Sequence, residues 1–103
     1  MPAYWIARAK INDWDEYIKY TDQVPGILAQ FGGKVLCRGS ECKTLEGPEF
    51  FERFVVIEFP SMEDAEACFR SDAYQSAASF RRQEGVAVNE LTIASGGDTT
   101  PTT

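Results

Sequence analysis

The stretch Arg53-Phe54-Val55-Val56-Ile57-Glu58-Phe59 is the clearest β-strand signal in the chain. Most of its residues are β-branched or aromatic, a composition that suits a half-buried strand. Pro60-Ser61 ends the strand, and Ser61 followed by Asp64 has the form of a capping box that begins a helix. A strand that leads directly into a helix indicates a domain built from both α and β elements.

Further strands and helices flank this unit on both sides. Pro25-Gly26 interrupts the first helix, so the segment 27–31 is predicted either as a kinked continuation or as a second short helix. Asp72 and Gln75 repeat the capping pattern, and the helix that follows should run through Arg81 until Gly85. The predicted strands are 3–9, 34–38, 53–59 and 86–94, with a hairpin arm over 43–46, and the helices follow caps at Asn12 or Asp13, at Ser61 and at Asp72.

The order strand, helix, strand, strand, helix, strand predicts an α+β domain of the ferredoxin-like βαββαβ type. Such a domain has a four-stranded antiparallel sheet with its helices on one face. At 103 residues the chain has the size of one domain. We expect that domain over residues 1–95 and a flexible tail over 96–103, because the tail has no large apolar residue to bury.

Alternation along the strands assigns side chains to the two faces of the sheet. The face under the helices should hold the core, namely Trp5, Ala7, Val35, Cys37, Val55, Ile57, Phe59, Leu91 and Ile93. The opposite face should hold Tyr4, Ile6, Arg8, Leu36, Arg38, Phe54, Val56, Glu58, Val88, Glu90 and Thr92. This second face is too apolar to be left to water, so we predict a homodimer that covers it.

The charged residues of that second face form the candidate site. Arg8, Arg38, Glu58 and Glu90 would lie inside or at the rim of the space that the dimer encloses, where charges must be paired or bind something. One interpretation is structural ion pairs at the dimer seam. The other is a site in which Arg38 grips a carboxylate or enolate, Glu58 moves a proton and Tyr4 donates a hydroxyl.

Composition excludes several classes of function. Ten basic against sixteen acidic residues give a formal charge of −6, which disfavours nucleic acid and anionic membranes as partners. The chain has no histidine, and its three cysteines lack zinc spacing, so we expect no metal and no cofactor. An odd set of cysteines and the lack of a signal-like start predict a cytoplasmic location.

Two aromatic clusters also need an interpretation. Trp14 and Tyr17 fit the inward stripe of the first helix, so packing in the core is expected. The segment 46–53 places two phenylalanines in a polar loop, which indicates a flap over a pocket or a contact with the partner chain. The sequence does not separate these two alternatives.

Several short motifs together resemble the family described as domain of unknown function 1330. They are Ala3–Ala7, Gly32-Gly33, Leu36–Gly39, Leu45–Gly47, Val55–Ser61 and Ser71–Gln75. The resemblance implies a ferredoxin-like subunit of the dimeric α+β-barrel superfamily. Other branches of that superfamily include cofactor-independent monooxygenases, lactone isomerases and dehydratases that work in a lumen between sheet and helices. The family's Arg-Gly and Ile-Glu-Phe positions fall on Arg38 and Glu58.

Three functions follow as hypotheses. The first is a cofactor-independent enzyme, or a binder, of a small acidic or phenolic ligand in a lumen lined by Tyr4, Arg38 and Glu58. The second is a non-catalytic structural or regulatory homodimer in which the same charges only fix the register. The third is a redox-active thiol protein. Whether the chain is an enzyme stays open on the sequence.

Overall fold

The computed structural model describes residues 1–102 of the chain. Within these residues the elements follow in the order β1, α1, α2, β2, β3, α3, α4, β4. The strands are β1 (Ala3–Ile11), β2 (Lys34–Gly39), β3 (Arg53–Phe59) and β4 (Ala87–Ser95). The helices are α1 (Trp14–Thr21), α2 (Val24–Gln30), α3 (Met62–Arg70) and α4 (Asp72–Arg81).

The strands form one antiparallel sheet in the order β2-β3-β1-β4. This is the ferredoxin-like arrangement, so the predicted fold class is confirmed. Strand β1 lies in the interior of the sheet, where Trp5 is opposite Ile57 on β3 and Ile93 on β4. None of the helices within residues 1–102 is long and apolar enough to cross a bilayer.

The main core lies between one face of the sheet and the helices. Trp5 and Phe59 of the sheet stack with ring centroids 5.6 Å apart, and Tyr74 of α4 meets Trp5 edge-on at 5.1 Å. All three side chains are almost completely buried. Aromatic pairs of this kind add about 0.5–1.5 kcal/mol each beyond the area they bury. The helices therefore cover the face that contains Trp5, as the alternation predicts.

The predicted core was wrong at the edge strand β2. Val35 pairs with Ile57, but the next paired residue is Cys37, opposite Val56, which leaves Leu36 as an extra residue in a β-bulge. Because a bulge shifts the alternation by one position, Cys37 moves to the outer face and Arg38 to the face under the helices. Cys37 is accordingly exposed rather than buried.

The segment between β2 and β3 also differs from the prediction. No hairpin arm forms over residues 43–46. Instead the end of this loop is tied to β1: the Glu52 N–H donates to the Ala9 carbonyl at 3.0 Å. The Glu52 carboxylate accepts from the Ile11 N–H and from Lys10 Nζ, each at 3.1 Å. These bonds involve the last three residues of β1, which continues two residues past its predicted end at Ala9.

Helices α1 and α2 correct two further details. The interruption at Pro25 gives two separate helices, with the proline in the first turn of α2, where its missing N–H has no intrahelical partner to lose. Tyr17 is buried as predicted. Trp14 is 50% exposed, so its assignment to the core was wrong. Its ring instead meets the ring of Tyr17 edge-on, with centroids 5.5 Å apart.

The carboxyl-terminal segment follows β4. Gly96 is buried, and its N–H donates to the Pro2 carbonyl at 2.8 Å. A side chain there would clash, because a Cβ would lie 2.7 Å from that carbonyl oxygen. The first residue of the predicted tail is thus bonded to the start of β1. The last residue of that tail, Thr103, lies outside the described residues, and the domain limits stay a prediction.

A single side chain joins α3 to α4. The Ser71 hydroxyl accepts from the Tyr74 N–H at 3.2 Å and donates to the Cys68 carbonyl at 2.7 Å. Ser71 therefore ends one helix and caps the next, one residue before the predicted cap at Asp72. The predicted cap at Ser61 is confirmed, since its hydroxyl accepts from the Asp64 N–H at 3.1 Å.

We expect Ser71→Ala to destabilise the protein by about 1 kcal/mol, the usual cost of losing a helix cap. In a domain of this size that lowers Tm by about 4–8 °C. Asp72→Ala is the matched control and should lower Tm less, because its side chain is not the cap. Thermal unfolding followed by circular dichroism measures both changes. An equal or larger loss in Asp72→Ala would contradict this assignment.

Candidate functional site

On the outer face of the sheet, the charged residues pair with one another. The Tyr4 hydroxyl donates to Glu58 Oε2 at 3.0 Å, and this bond, with the carboxylate charge and some burial, raises the pKa of Tyr4. Arg8 binds Glu90 Oε1 through Nε and Nη2, both at 2.8 Å. Of the two interpretations of these charges, a structural ion pair therefore fits Arg8 and Glu90.

The three predicted site residues do not share one lumen. Tyr4 and Glu58 meet on the outer face, whereas the bulge at Leu36 places Arg38 opposite Val55 on the face under the helices. A single lumen lined by all three was therefore a wrong prediction. A catalytic role for Tyr4, Glu58 and Arg38 stays a prediction.

A cavity lies between the sheet and the helices. Its volume is about 50 Å³, and it adjoins a more open groove of about 310 Å³. Arg81, Asn89 and Leu91 line both spaces. The apolar wall of the cavity includes Trp5, Val24, Leu28, Val35, Val55 and Ile57, and its polar side chains include Arg38, Arg53, Arg81, Tyr17, Tyr20 and Asn89. Together the two spaces have room for a compact organic molecule.

Arg81, in the last turn of α4, is the most unusual residue of this cavity. It is only 7% exposed. Its Nη2 donates to the Tyr74 hydroxyl at 3.1 Å, and its guanidinium carbon lies 5.1 Å from the ring centroid of Tyr20. No carboxylate within residues 1–102 forms an ion pair with it. The helix carboxyl end and the phenol rings stabilise this cation without neutralising its charge.

The hydroxyl of Tyr74 fixes the direction of a hydrogen-bond chain. This fully buried group accepts from Arg81 and lies 2.8 Å from the Tyr20 hydroxyl. Its own proton has to go to Tyr20, because a buried donor left without an acceptor is costly. The chain then runs from Arg81 to Tyr74 to Tyr20. The proton of Tyr20 remains available to an acceptor in the cavity.

The titration behaviour of these groups makes them hydrogen-bond donors at neutral pH. Burial and the neighbouring Tyr74 raise the pKa of Tyr20 well above its ordinary value, and burial raises the pKa of Tyr17. Burial lowers the pKa of Arg81, but the phenol oxygens beside it raise that pKa further, so it stays a cation. The site thus offers O–H and N–H groups to an acceptor.

Arg38 and Arg53 add positive charge at the sheet side of the cavity. Arg53 lies two residues before Val55 on β3, and Arg38 pairs with Val55 from β2, so both point toward the helices. In the described part of the chain neither has a carboxylate partner. Glu90 borders the same cavity from β4, but its carboxylate lies on the outer face of the sheet, where Arg8 binds it. An acidic protein therefore encloses a positively charged cavity.

The sequence does contain a signal for Arg81. Tyr74, Ala77, Ala78 and Arg81 recur at helical spacing along α4, and all four are buried. An arginine on the inward stripe of an amphipathic helix is exceptional, because isolated charges are rarely buried. The helical spacing therefore predicts that Arg81 faces inward with Tyr74.

The cysteines and carboxylates do not form a further centre. Within residues 1–102, no three or more histidine, cysteine, aspartate or glutamate residues come together as metal ligands. Cys37 and Cys42 are exposed and Cys68 is buried. Burial raises the pKa of Cys68 to about 11, so this side chain is a neutral thiol at pH 7.

Fold and site together define a ferredoxin-like α+β protein with a cationic cavity beneath its sheet. A family model covering residues 2–96 matches, and the chain belongs to the family described as domain of unknown function (DUF1330). No curated protein matches it.

Solved structures with the same fold include three of interest. A protein of unknown function from Rhodopseudomonas palustris is 20% identical with a TM-score of 0.75, covering 94% of this chain and 83% of that one. A dimeric ferredoxin-like protein of unknown function from Jannaschia sp. is 11% identical, with a TM-score of 0.67 and coverages of 89% and 98%. SnoaB from Streptomyces nogalater, a cofactor-independent oxygenase, is 12% identical, with a TM-score of 0.62 and coverage of 98% of both chains. At these identities the likeness shows the fold alone.

The hydrogen-bond chain predicts the effect of removing one hydroxyl. Tyr74→Phe leaves Arg81 without its acceptor, so we expect a loss of about 1–3 kcal/mol in the free energy of unfolding. Tyr4→Phe removes a hydroxyl whose partner Glu58 is only half-buried, and should cost less. Urea unfolding of both variants measures the difference. Equal losses would contradict a buried chain that depends on Tyr74.

Proposed function

We propose that this protein binds a small acidic ligand, a carboxylate or a phenolate, in the cavity between its sheet and helices. The observation that carries the proposal is Arg81, a nearly buried cation with no carboxylate partner in residues 1–102. Burying an ion is costly unless an opposite charge accompanies it. A bound anion supplies that charge.

The surrounding groups support an anionic ligand over a neutral one. Tyr20 has a proton available, and Arg38 and Arg53 add two more cations. Hydrogen bonds between such groups and a negatively charged acceptor are about twice as strong as neutral ones. The apolar wall formed by Leu28, Val55 and Ile57 supports an organic body behind the acidic group.

Within this proposal the chain is either a binding protein or a cofactor-independent enzyme. Its donors are suited to hold negative charge, including that of an enolate or phenolate formed from a substrate. SnoaB, which shares the fold, is a cofactor-independent oxygenase. In such a reaction the role of Arg81 and Tyr20 here would be to stabilise the anion.

A second candidate function, a homodimeric module, rests on the outer face of the sheet. Ile6 and Val88 are 46% and 45% exposed there, and Phe54 and Val56 lie beside them. A monomer rarely leaves so much apolar surface to water. Similar proteins from Jannaschia sp. and Bacteroides fragilis are described as dimeric, which supports a homodimer. A cytoplasmic location, without nucleic-acid or membrane partners, stays a prediction.

The ligand proposal is tested with gently purified protein and a panel of small carboxylates and phenols. We expect native mass spectrometry to find retained acidic mass, or calorimetry to find binding, in the wild type. Arg81→Gln should weaken this binding by at least about tenfold, the equivalent of one charged hydrogen bond. Arg81→Lys, which keeps the charge without the planar fork, should weaken it less.

Arg70→Gln is the matched control, because this arginine of α3 is 77% exposed and lies outside the cavity. It should bind the panel as the wild type does. Circular dichroism of each variant establishes that it is folded. Unchanged binding in folded Arg81→Gln would overturn the proposal.

The dimer is tested by placing a charge on the outer face. Ile6→Glu puts a carboxylate between Val56 and Thr92, and we expect it to shift the protein to monomer in light scattering. Leu45→Glu introduces the same group at a loop residue that is 84% exposed, and it should leave the mass unchanged. A dimer of unchanged affinity in Ile6→Glu would exclude this face as the interface.

A further inference from the structure

We propose that the ligand has two acidic groups, one bound by Arg81 and Tyr20 and the other by Arg38 and Arg53. This inference rests on the proposed function, since it specifies the class of the ligand at the same site. It predicts a short dicarboxylate, or an acid with a comparable second anionic group. The bulge of β2 places Arg38 on the side of the sheet that faces the cavity.

Arg38 and Arg53 form a pair on neighbouring strands. Arg38 lies directly opposite Val55, and Arg53 is two residues away from Val55 on the same face. Such diagonal neighbours are about 7–8 Å apart, which is within reach of two long side chains. This is the spacing of the two backbones, and the arginine side chains that leave them toward the cavity carry like charges, which repel each other. An anion held between them removes the repulsion.

No carboxylate in the described part of the chain takes this place. The ion pairs within residues 1–102 join other residues, and the Glu90 carboxylate is bound by Arg8 on the outer face of the sheet. The centroid of the Trp14 ring lies 5.7 Å from the Arg53 guanidinium carbon. This contact stabilises the cation but does not neutralise its positive charge. The cavity therefore contains three guanidinium groups without internal compensation.

The three arginines lie at different depths. Arg81 is buried on the helix side of the cavity, whereas Arg53 is half-buried and Arg38 is exposed on the sheet side, so the sheet side holds two cations toward a mouth of the cavity. Between these cations the wall is apolar, with Val55 and Ile57 side by side in alternation along β3. A ligand that fits has an acidic group at each end and a short apolar spacer.

A ligand with a single acidic group leaves part of this arrangement unused. If its carboxylate binds Arg81, the pair at the mouth stays uncompensated. If it binds the mouth, the buried cation keeps no counterion. A second negative charge satisfies both places at once, and the two arginines at the mouth then distinguish diacids from monoacids.

The experiment compares each dicarboxylate from malonate to adipate with its own half-amide at pH 7, using calorimetry on the full chain. The half-amide has nearly the same shape but one charge fewer. We expect the best dicarboxylate to bind at least about tenfold more tightly than its half-amide. In Arg38→Gln and in Arg53→Gln this ratio should fall to about twofold or less. Arg70→Gln should leave the ratio unchanged.

The outcomes separate this inference from the proposed function. Equal binding of a dicarboxylate and its half-amide, lost in Arg81→Gln, would overturn the two-headed ligand while keeping the anion site. A large ratio that Arg38→Gln leaves intact would overturn the subsite at the mouth, and since Arg38 is exposed this variant should fold even if Arg53→Gln does not. No binding of any probe at concentrations up to about 10 mM, weaker than ordinary specific binding, would overturn both.

Discussion

A guanidinium group enclosed beneath the sheet constrains the rest of this structure. Arg81 is held by the Tyr74 hydroxyl, and Tyr74 is in turn packed against Trp5, the central aromatic residue of the core. The same tyrosine follows the cap that begins α4. Helix geometry, core packing and the charge of the cavity are thus linked through a few adjacent contacts. A change in any of these contacts alters the position of the Arg81 guanidinium group in the cavity.

Charged side chains are paired on the outer face of the sheet, whereas the arginines under the helices have no acidic partner in the described part of the chain. On the outer face, Arg8 and Glu90 neutralise each other and Tyr4 bonds Glu58. Beneath the helices, the arginines have phenol rings, a hydroxyl and the end of a helix as neighbours, but no acid among residues 1–102. Satisfied pairs are typical of an interface or a structural surface, whereas unsatisfied donors are typical of a place that binds something.

The sequence predicts the fold well and the site only in part, for physical reasons. The strand over 53–59, the caps at Asp13 and Ser61 and the buried Trp5 follow from local signals that the structure keeps. The bulge at Leu36 does not, because an extra residue on an edge strand leaves no distinct pattern and yet inverts the alternation after it. Arg81 was missed for another reason: helical spacing indicates that it faces inward, but its burial depends on tertiary packing.

The bulge also has a consequence for how such a chain diverges. Deleting Leu36 would remove the bulge and leave Arg38 opposite Val55, whereas inserting one residue between Cys37 and Arg38 would move Arg38 opposite Phe54, on the outer face. The strand order and the packed helices need not change. A single-codon insertion or deletion at a sheet edge is therefore a short evolutionary route by which relatives of this protein can gain or lose a cation in the cavity, and with it an acidic ligand, while the fold stays the same.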